Sequence, residues 1–361
     1  MRQALNLAER GLGETNPNPL VGAVVVREGR VVAEGFHARA GGPHAEVIAL
    51  QRAGARARGA TLYVNLEPCA HHGRTPPCAP LVRDSCLARV VVAHADPNPL
   101  VHRRGIALLR RAGLLVETGV LAAEAARLNE RFLVSARLGR PFVLLKAGLT
   151  LDGRIATALG RSRWITSATQ RRQARWLRRL HDAVLIGIST AIADDPLLLP
   201  TPRTRRPFTR VVLDSHLRLP PTGRLARSAS SRTPLVVLSC APASSRRRAL
   251  SREGVLVVPV AEEEGRVSLD AALAALRARG ITSLMVEGGS EVLGGFLSRR
   301  LVDQVALFRA PLLLGGRGSL AAFGGRDPLE IDDGLRLEPL AADPPFPWPW
   351  PTQFELWRPK G

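Results

Sequence analysis

The chain has 361 residues, is 45% hydrophobic and 23% charged, carries a formal net charge of +20 and contains four Cys. That length favours two domains over one. No apolar run approaches the roughly 18 residues of a membrane span, and four Cys are too few for a disulfide framework, so a cytoplasmic protein without an export signal is expected.

In chain order, residues 1–10 place Leu and Ala at helical spacing, and 21–26 with 31–36 read as a hairpin across Arg27-Glu28-Gly29-Arg30. A helix is expected from about His44, a strand over 60–66, a helix from about Pro77, a strand over 89–94, a helix over 105–112 and a strand over 114–118. One long helix over 122–138 then reaches Gly139-Arg140-Pro141, which punctuates the chain and sets the expected domains at 1–140 and 141–361. The second half has strands over 142–146, 183–188, 210–214, 235–239, 255–260, 283–287 and 304–313, with helices between. A Pro-rich loop over 343–351 precedes a last strand over 353–357. Both halves are predicted to be α/β.

The basic residues are almost all Arg, scattered over helices and loops such as 170–179 and 203–210 rather than gathered into one stripe. Aromatics make up only 4% of the chain, too few for a stacking platform that would hold single strands. No nucleic-acid partner and no membrane partner is therefore expected, while a positive field suits small phosphorylated ligands.

The chemistry concentrates in two places. His44-Ala45-Glu46 opens a helix, Glu67-Pro68-Cys69 closes a strand and Cys78 opens the next helix. One imidazole and two thiolates make three zinc ligands and leave the fourth tetrahedral position for water, as a catalytic site requires. Glu46, two residues from His44, is then the carboxylate that moves protons between water and a leaving amine. A closed structural zinc site is the alternative, and needs His71 or His72 as a fourth ligand. His37, His94, His181 and His216 read as surface or satisfied core histidines, and Cys86 and Cys240 as small buried hydrophobes.

This arrangement resembles the H-x-E and P-C-x-x-C pattern of zinc nucleobase deaminases, except that eight residues, 70–77, separate the two Cys. The full string Glu67-Pro68-Cys69-Ala70-His71-His72-Gly73-Arg74-Thr75-Pro76-Pro77-Cys78 resembles the deaminase of the bacterial riboflavin pathway. So do Asn16-Pro17-Asn18-Pro19-Leu20-Val21-Gly22 and Asp96-Pro97-Asn98-Pro99. From Pro141 onward the chain resembles the reductase domain of the same bifunctional family, a relative of dihydrofolate reductase in fold. The resemblance rests on 145–154, on Ser162-Arg163-Trp164-Ile165-Thr166-Ser167, Ala193-Asp194-Asp195-Pro196, Val211-Val212-Leu213-Asp214-Ser215 and Val286-Glu287-Gly288-Gly289-Ser290. No G-x-G-x-x-G is present, so no Rossmann domain is expected; the Gly288-Gly289 turn into a helix offers backbone N–H groups to a cofactor phosphate.

The resemblance implies an α/β chain with an N-terminal cytidine-deaminase-like domain and a C-terminal dihydrofolate-reductase-like domain. It implies zinc-dependent hydrolytic deamination of 2,5-diamino-6-(5-phosphoribosylamino)pyrimidin-4-one, then NADPH reduction of the ribosyl group of 5-amino-6-(5-phosphoribosylamino)uracil to ribityl. The zinc ligands are then His44, Cys69 and Cys78, with Glu46 catalytic. NADP contacts fall on Gly148, Trp164, Thr190, Asp194, Ser215 and Gly289, and substrate contacts on Asn18, Ser162, Arg178, Leu198 and Glu287. No reductase proton donor stands out. The partners implied are small phosphorylated pyrimidines, and a homo-oligomer is compatible with the sequence. Two departures from the family stand out: Leu198-Leu199-Pro200-Thr201 replaces Leu-Thr-x-Arg, so that Arg203 becomes the candidate replacement, and Arg103 stands where the family has Gly. The rival readings are a nucleic-acid deaminase, and a non-enzymatic protein with structural zinc and a degenerate reductase-like partner domain.

Overall fold

A computed structural model of the chain describes residues 1–71, 76–98, 102–241, 245–340 and 353–360. His72, Pro99 and the Pro-rich stretch 343–351 lie outside the described residues. The chain divides into two compact units, Met1–Gly139 and Arg140–Gly361.

The first unit is built on β1 (Gly22–Arg27), β2 (Arg30–Phe36), β3 (Thr61–Leu66), β4 (Arg89–His94) and β5 (Leu115–Thr118), in the order β2-β1-β3-β4-β5. Its helices are α1 (Arg2–Glu9), α2 (Ala45–Ala53), α3 (Cys78–Asp84), α4 (Arg104–Arg111), α5 (Ala122–Leu128) and α6 (Glu130–Leu138). Glu28 and Gly29, at φ 52° and 74°, turn the hairpin between β1 and β2 with both central residues left-handed, the geometry that matches strand twist. Val25, Leu62, Val64, Val90 and Val92 face Ala49, Leu50, Val82, Ile106 and Leu109 in one core. The predicted long helix over 122–138 is two helices, broken at Asn129. That side chain leaves the helix face to clamp Leu20, accepting from its N–H at 2.8 Å and donating to its carbonyl at 2.9 Å.

Two glycines let helices come close enough to carry the site. A Cβ on Gly35 in β2 would stand 2.4 Å from the Ala45 carbonyl oxygen, so α2 packs directly on the strand at its first turn. A Cβ on Gly105 would stand 2.0 Å from the Pro68 oxygen, which seats α4 against the chain just before Cys69.

The second unit contains, in chain order, β6 (Phe142–Thr150), β7 (Arg154–Ala156), α7 (Ala168–Leu177), β8 (Ala183–Gly187), α8 (Ile188–Asp194), β9 (Thr209–Leu213), α9 (Arg224–Arg227) and β10 (Leu235–Ser239). It continues with α10 (Ser245–Arg252), β11 (Leu256–Pro259), β12 (Glu262–Glu263), β13 (Arg266–Val267), α11 (Leu269–Arg277), β14 (Ser283–Val286), α12 (Ser290–Ser298), β15 (Gln304–Ala310), β16 (Leu320–Ala321), β17 (Leu337–Pro339) and β18 (Glu355–Pro359). The main sheet runs β11-β10-β9-β8-β14-β6-β15-β18-β17, parallel through β15 and antiparallel at β18 and β17. Apolar side chains cover both faces: Val143, Leu145, Leu185 and Val286 meet Leu273, Leu293 and Phe296 on one, and Val184, Ile186, Val212 and Val237 meet Leu225 and Leu250 on the other. That double burial is why these strands read as continuous apolar runs. The short strands β7, β12, β13, β16 and β17 have no such run and were not predicted.

Candidate functional site

In the first unit, His44 is the N-cap of α2, Cys69 follows β3 and Cys78 is the first residue of α3. The fold brings all three together. His44 Nδ1 lies 2.8 Å from Cys78 Sγ and 3.6 Å from Cys69 Sγ, the Cys78 N–H donates to Cys69 Sγ at 3.4 Å, and the three ligand atoms fall within 4.8 Å of one another. The hydrogen bond between the thiols, with His44 beside it, holds Cys69 down at about 4, and the same contact pushes Cys78 up. The Cys69 turn is fixed from behind by Glu67. Its buried carboxylate accepts the N–H groups of Asp96, Arg103, Gly105 and Ile106 at 3.0–3.1 Å, the last two opening α4.

Glu46 is 3% exposed, and its Oε2 has no hydrogen-bond partner among the described residues. Burial raises this carboxyl to about 7. One imidazole, two sulfurs and a buried carboxylate oxygen with no protein partner form a donor set that fits catalytic zinc. His71 stands outside the cluster of ligand atoms, so the described residues do not form a closed four-ligand site.

His37 is a satisfied core histidine, one of the two readings the sequence offered. It is 2% exposed, donates from Nδ1 to the Pro43 carbonyl at 3.0 Å and stands edge-on to His44 with ring centres 5.4 Å apart. With Nδ1 donating, Nε2 accepts from Asn18 Nδ2 at 3.1 Å. Burial lowers the pKa of this ring, which favours the neutral tautomer. The pairing commits the amide's NH₂ to His37 and leaves Asn18 Oδ1 as its acceptor end. Cys86 corrects the sequence reading: it is exposed, because it ends a turn at φ 54° that throws its side chain outward. Cys240 is partly buried against the core of the second unit. His181 is buried on Phe142, His94 is half-buried, and His216 is exposed.

In the second unit, Thr190, Ser215, Glu287 and Gly289 follow the C-terminal ends of β8, β9 and β14, the end at which ligands bind in open α/β sheets. Glu287 follows β14 and pairs with Arg178, from Nε to Oε1 at 2.5 Å and from Nη2 to Oε2 at 3.0 Å. Lys146 Nζ, on the neighbouring strand β6, is 3.7 Å from Glu287 Oε2. Burial works against the carboxylate's charge, but the Arg178 and Lys146 cations outweigh it and hold Glu287 down at about 2. Burial also lowers the Lys146 pKa, against the pull of Glu287. Sequence reasoning missed Lys146, which reads there as one polar residue in an apolar strand.

Arg178 is expected among the substrate contacts, where a guanidinium fork suits a phosphate. In the structure its fork closes on Glu287, and the remaining Nη1 donates to the Leu199 carbonyl at 2.9 Å. Leu198 sits at φ 57° with its side chain buried in the core, so only its backbone can face a ligand. Arg203 is exposed and lines a cavity of about 240 Å³ with Leu199, Pro200, Phe208 and Arg232.

Gly148 lies two residues beyond Lys146 on β6, and Gly289 is the N-cap of α12, where a Cβ would stand 3.1 Å from Thr190 Oγ1. Ser215 follows β9 and accepts the Val267 N–H at 3.1 Å. Trp164 is 68% exposed, with the Arg171 guanidinium 4.2 Å and that of Arg163 5.7 Å from its ring centre. Arg163 also reaches Asp194 Oδ1 at 3.0 Å, and Ser162 is partly buried two residues before Trp164.

Residues 141–342 match the RibD C-terminal domain, and residues 1–94 match the cytidine and deoxycytidylate deaminase zinc-binding region. The riboflavin biosynthesis protein RibD of Aquifex aeolicus is 42% identical over 339 residues, spanning 93% of this chain and 92% of that protein. The chain belongs to the RibD family. RibD of Escherichia coli K12 is 41% identical over 332 residues, 87% of this chain and 88% of its own length. Acinetobacter baumannii RibD superposes with a TM-score of 0.86 at 37% identity, covering 100% of this chain and 98% of that one. A Thermotoga maritima structure described as a diaminohydroxyphosphoribosylaminopyrimidine deaminase/5-amino-6-(5-phosphoribosylamino)uracil reductase does so at 0.84 and 35%, covering 100% and 97%.

Arg103, expected to stand where the family has Gly, has a backbone reading. Arg103 is exposed, caps α4 at φ 56° and ψ 4°, and uses its N–H on Glu67. A side chain in that left-handed region costs about 1–3 kcal/mol, of which glycine's extra freedom in the unfolded chain offsets part. Arg103→Gly is therefore expected to raise stability by about 1 kcal/mol, read as a higher denaturation midpoint at unchanged slope.

Proposed function

We propose that the chain carries out two consecutive steps of riboflavin biosynthesis. The first unit removes ammonia hydrolytically from 2,5-diamino-6-(5-phosphoribosylamino)pyrimidin-4-one. The second reduces the ribosyl group of 5-amino-6-(5-phosphoribosylamino)uracil to ribityl. The observation that carries the reading is Glu46, buried and unpartnered at Oε2, beside the convergence of His44, Cys69 and Cys78.

In the first unit His44 Nδ1 and the sulfurs of Cys69 and Cys78 would hold zinc, which would supply Lewis-acid chemistry toward water. Glu46 would accept the proton of the attacking water as the carbon–oxygen bond forms and return it to the amine as the carbon–nitrogen bond breaks. His37 orients Asn18, whose Oδ1 accepts a pyrimidine N–H. In the second unit a bound NADPH would supply the hydride. Gly288, Gly289 and Thr190, at the start of α12, would hold its diphosphate. Lys146, held by Glu287, keeps a proton at Nζ for the heteroatom of the opened ribosyl unit. With Arg178 closed on Glu287, the substrate phosphate is left to the exposed Arg203, and Leu199 borders both.

A nucleic-acid deaminase leaves the RibD C-terminal match over 141–342 without a role. Among the described residues no helix is long and apolar enough to cross a membrane, and we place the protein in the cytoplasm. Metal analysis is expected to find about one zinc per chain, and Cys78→Ser to lose most of it along with deamination. Full zinc in that variant would remove Cys78 from the ligand set. The test of the whole reading is NADPH absorbance with the diaminopyrimidine substrate: oxidation is expected, it stops with a zinc chelator, and it resumes when the aminouracil is supplied directly.

A further inference from the structure

Side chains alternate along β15, and Phe308 is its buried aromatic, 1% exposed. In the parallel register of β15 with β6, Phe308 stands opposite Gly148 and Ala306 opposite Lys146, so Phe308 and Lys146 share one face of the sheet on a diagonal. Gly148 puts no side chain between them: a Cβ there would stand 4.0 Å from Lys146 Nζ and 3.0 Å from Thr166 Cγ2. The ammonium of Lys146 therefore lies over the Phe308 ring, 5.7 Å from its centre. That is within the distance at which a ring face attracts a cation.

On the other side of β15, β18 runs antiparallel, and its register, Leu307 opposite Glu355, brings Phe354 opposite Phe308. The two rings stack with centres 4.8 Å apart and planes 25° from parallel. Gln170 of α7 ties this end of the chain in place, donating from Nε2 to the carbonyls of Arg309 at 2.8 Å and Gln353 at 3.2 Å. A row of four side chains thus crosses the sheet from β18 to the end of β14: Phe354, Phe308, Lys146 and Glu287. Glu287 attracts the ammonium and Arg178, after α7, repels it. Arg309 and Glu355, the charged neighbours on β15 and β18, alternate to the opposite face and pair there at 3.3 Å. At 3.7 Å from Glu287 Oε2, Lys146 Nζ stands near the carboxylate without closing on it.

We propose that Phe308, backed by Phe354, is a positioning residue for the reduction: its ring holds the Lys146 ammonium off Glu287 and available to the substrate, which makes the last strand of the chain part of the reductase machinery. The inference rests on the reading of Lys146 as the proton carrier of this unit. Burial works against the charge of Lys146, and a ring face supports it. Loss of the ring should therefore let the proton go at a lower pH, whereas the loss of mere core packing leaves that pH where it is.

The experiment is the pH profile of kcat for reduction by the full chain, with the aminouracil supplied directly and NADPH saturating. The parent rate is expected to fall on the alkaline side, where Lys146 loses its proton. Phe308→Leu should move that fall down by about 0.5–1 pH unit and lower kcat at neutral pH by about three- to tenfold. Its affinity for NADPH should stay parental, which also reports a folded second unit. Phe354→Leu, at a partly exposed position that burdens the core less, should move the fall in the same direction by a smaller step. Phe354→Tyr keeps a ring on Phe308 and should restore what Phe354→Leu loses. An unmoved alkaline fall in the two Leu variants overturns the assignment, as does a loss of NADPH binding that accounts for the lower rate at every pH, which marks the rings as core packing. A Lys146→Met chain that keeps the parental rate and the parental alkaline fall defeats the reading of Lys146 itself, a failure distinct from an unmoved fall in the ring variants.

Discussion

Glu46→Gln is expected to leave the zinc content unchanged and to slow deamination by about 10²–10⁴-fold, the range for loss of a positioned general acid–base. The amide fills the same buried space on α2 but cannot accept a proton from water and return it to the departing amine. Burial is what suits the carboxylate to that exchange, by lifting it to about 7, where taking up and releasing a proton are nearly balanced. NADPH oxidation with the aminouracil supplied directly should continue at the parental rate in this variant. A Glu46→Gln enzyme that still deaminates within tenfold of the parent would assign proton transfer to another group.

The second large effect concerns the buried charges of the reductase. Lys146→Met should keep NADPH binding and lower the reduction rate by about 10²–10⁴-fold, since the thioether occupies the stem's space and carries no proton. Parental reduction by this variant would remove Lys146 from the chemistry. Glu287→Gln acts differently, because Arg178 and Lys146 are then left buried without their shared carboxylate. Breaking a buried ion pair from one side costs about 3–5 kcal/mol, so this variant should lose stability as well as activity. The sign of the pH dependence follows from the depressed carboxyl. Glu287 falls from 4.5 to about 2 on folding, so its stabilisation is fully present above about 4.5 and is lost as the pH falls through 2. The Glu287→Gln variant should show a flatter stability profile across that window, measured by denaturant titration at each pH.

What the sequence displayed and what it hid divide along a physical line. His44, Glu46, Cys69 and Cys78 were legible because their residue types are chemically restrictive and each opens or closes an element whose boundary Pro and Gly mark. The parallel strands were legible because burial on both faces writes an unbroken apolar run. Lys146 was not, since it takes its meaning from a partner distant in the chain, Glu287. The helix break at Asn129 was hidden because apolar spacing continues through it, while the cause is a clamp on Leu20, 109 residues away. Leu198 was assigned from a motif that carries no record of backbone sign; at φ 57° its side chain enters the core. The Cys86 reading failed because its apolar neighbours conceal an outward turn.

The carboxylate of Glu67 bears on the thermodynamics of metal exchange. Four backbone N–H groups converge on it, so the strand exit that carries Cys69 takes its shape from bonds made wholly within the protein. In small zinc modules the ion does the folding, and much of its binding energy goes into ordering the chain. Here the ordering entropy of the loop belongs to the cooperative unfolding of the whole unit, leaving the affinity for the ion to be set by coordination alone. Loading and stripping then become a reversible mass-action equilibrium of a folded scaffold, in which zinc adds stability only as the logarithm of its free concentration over its dissociation constant.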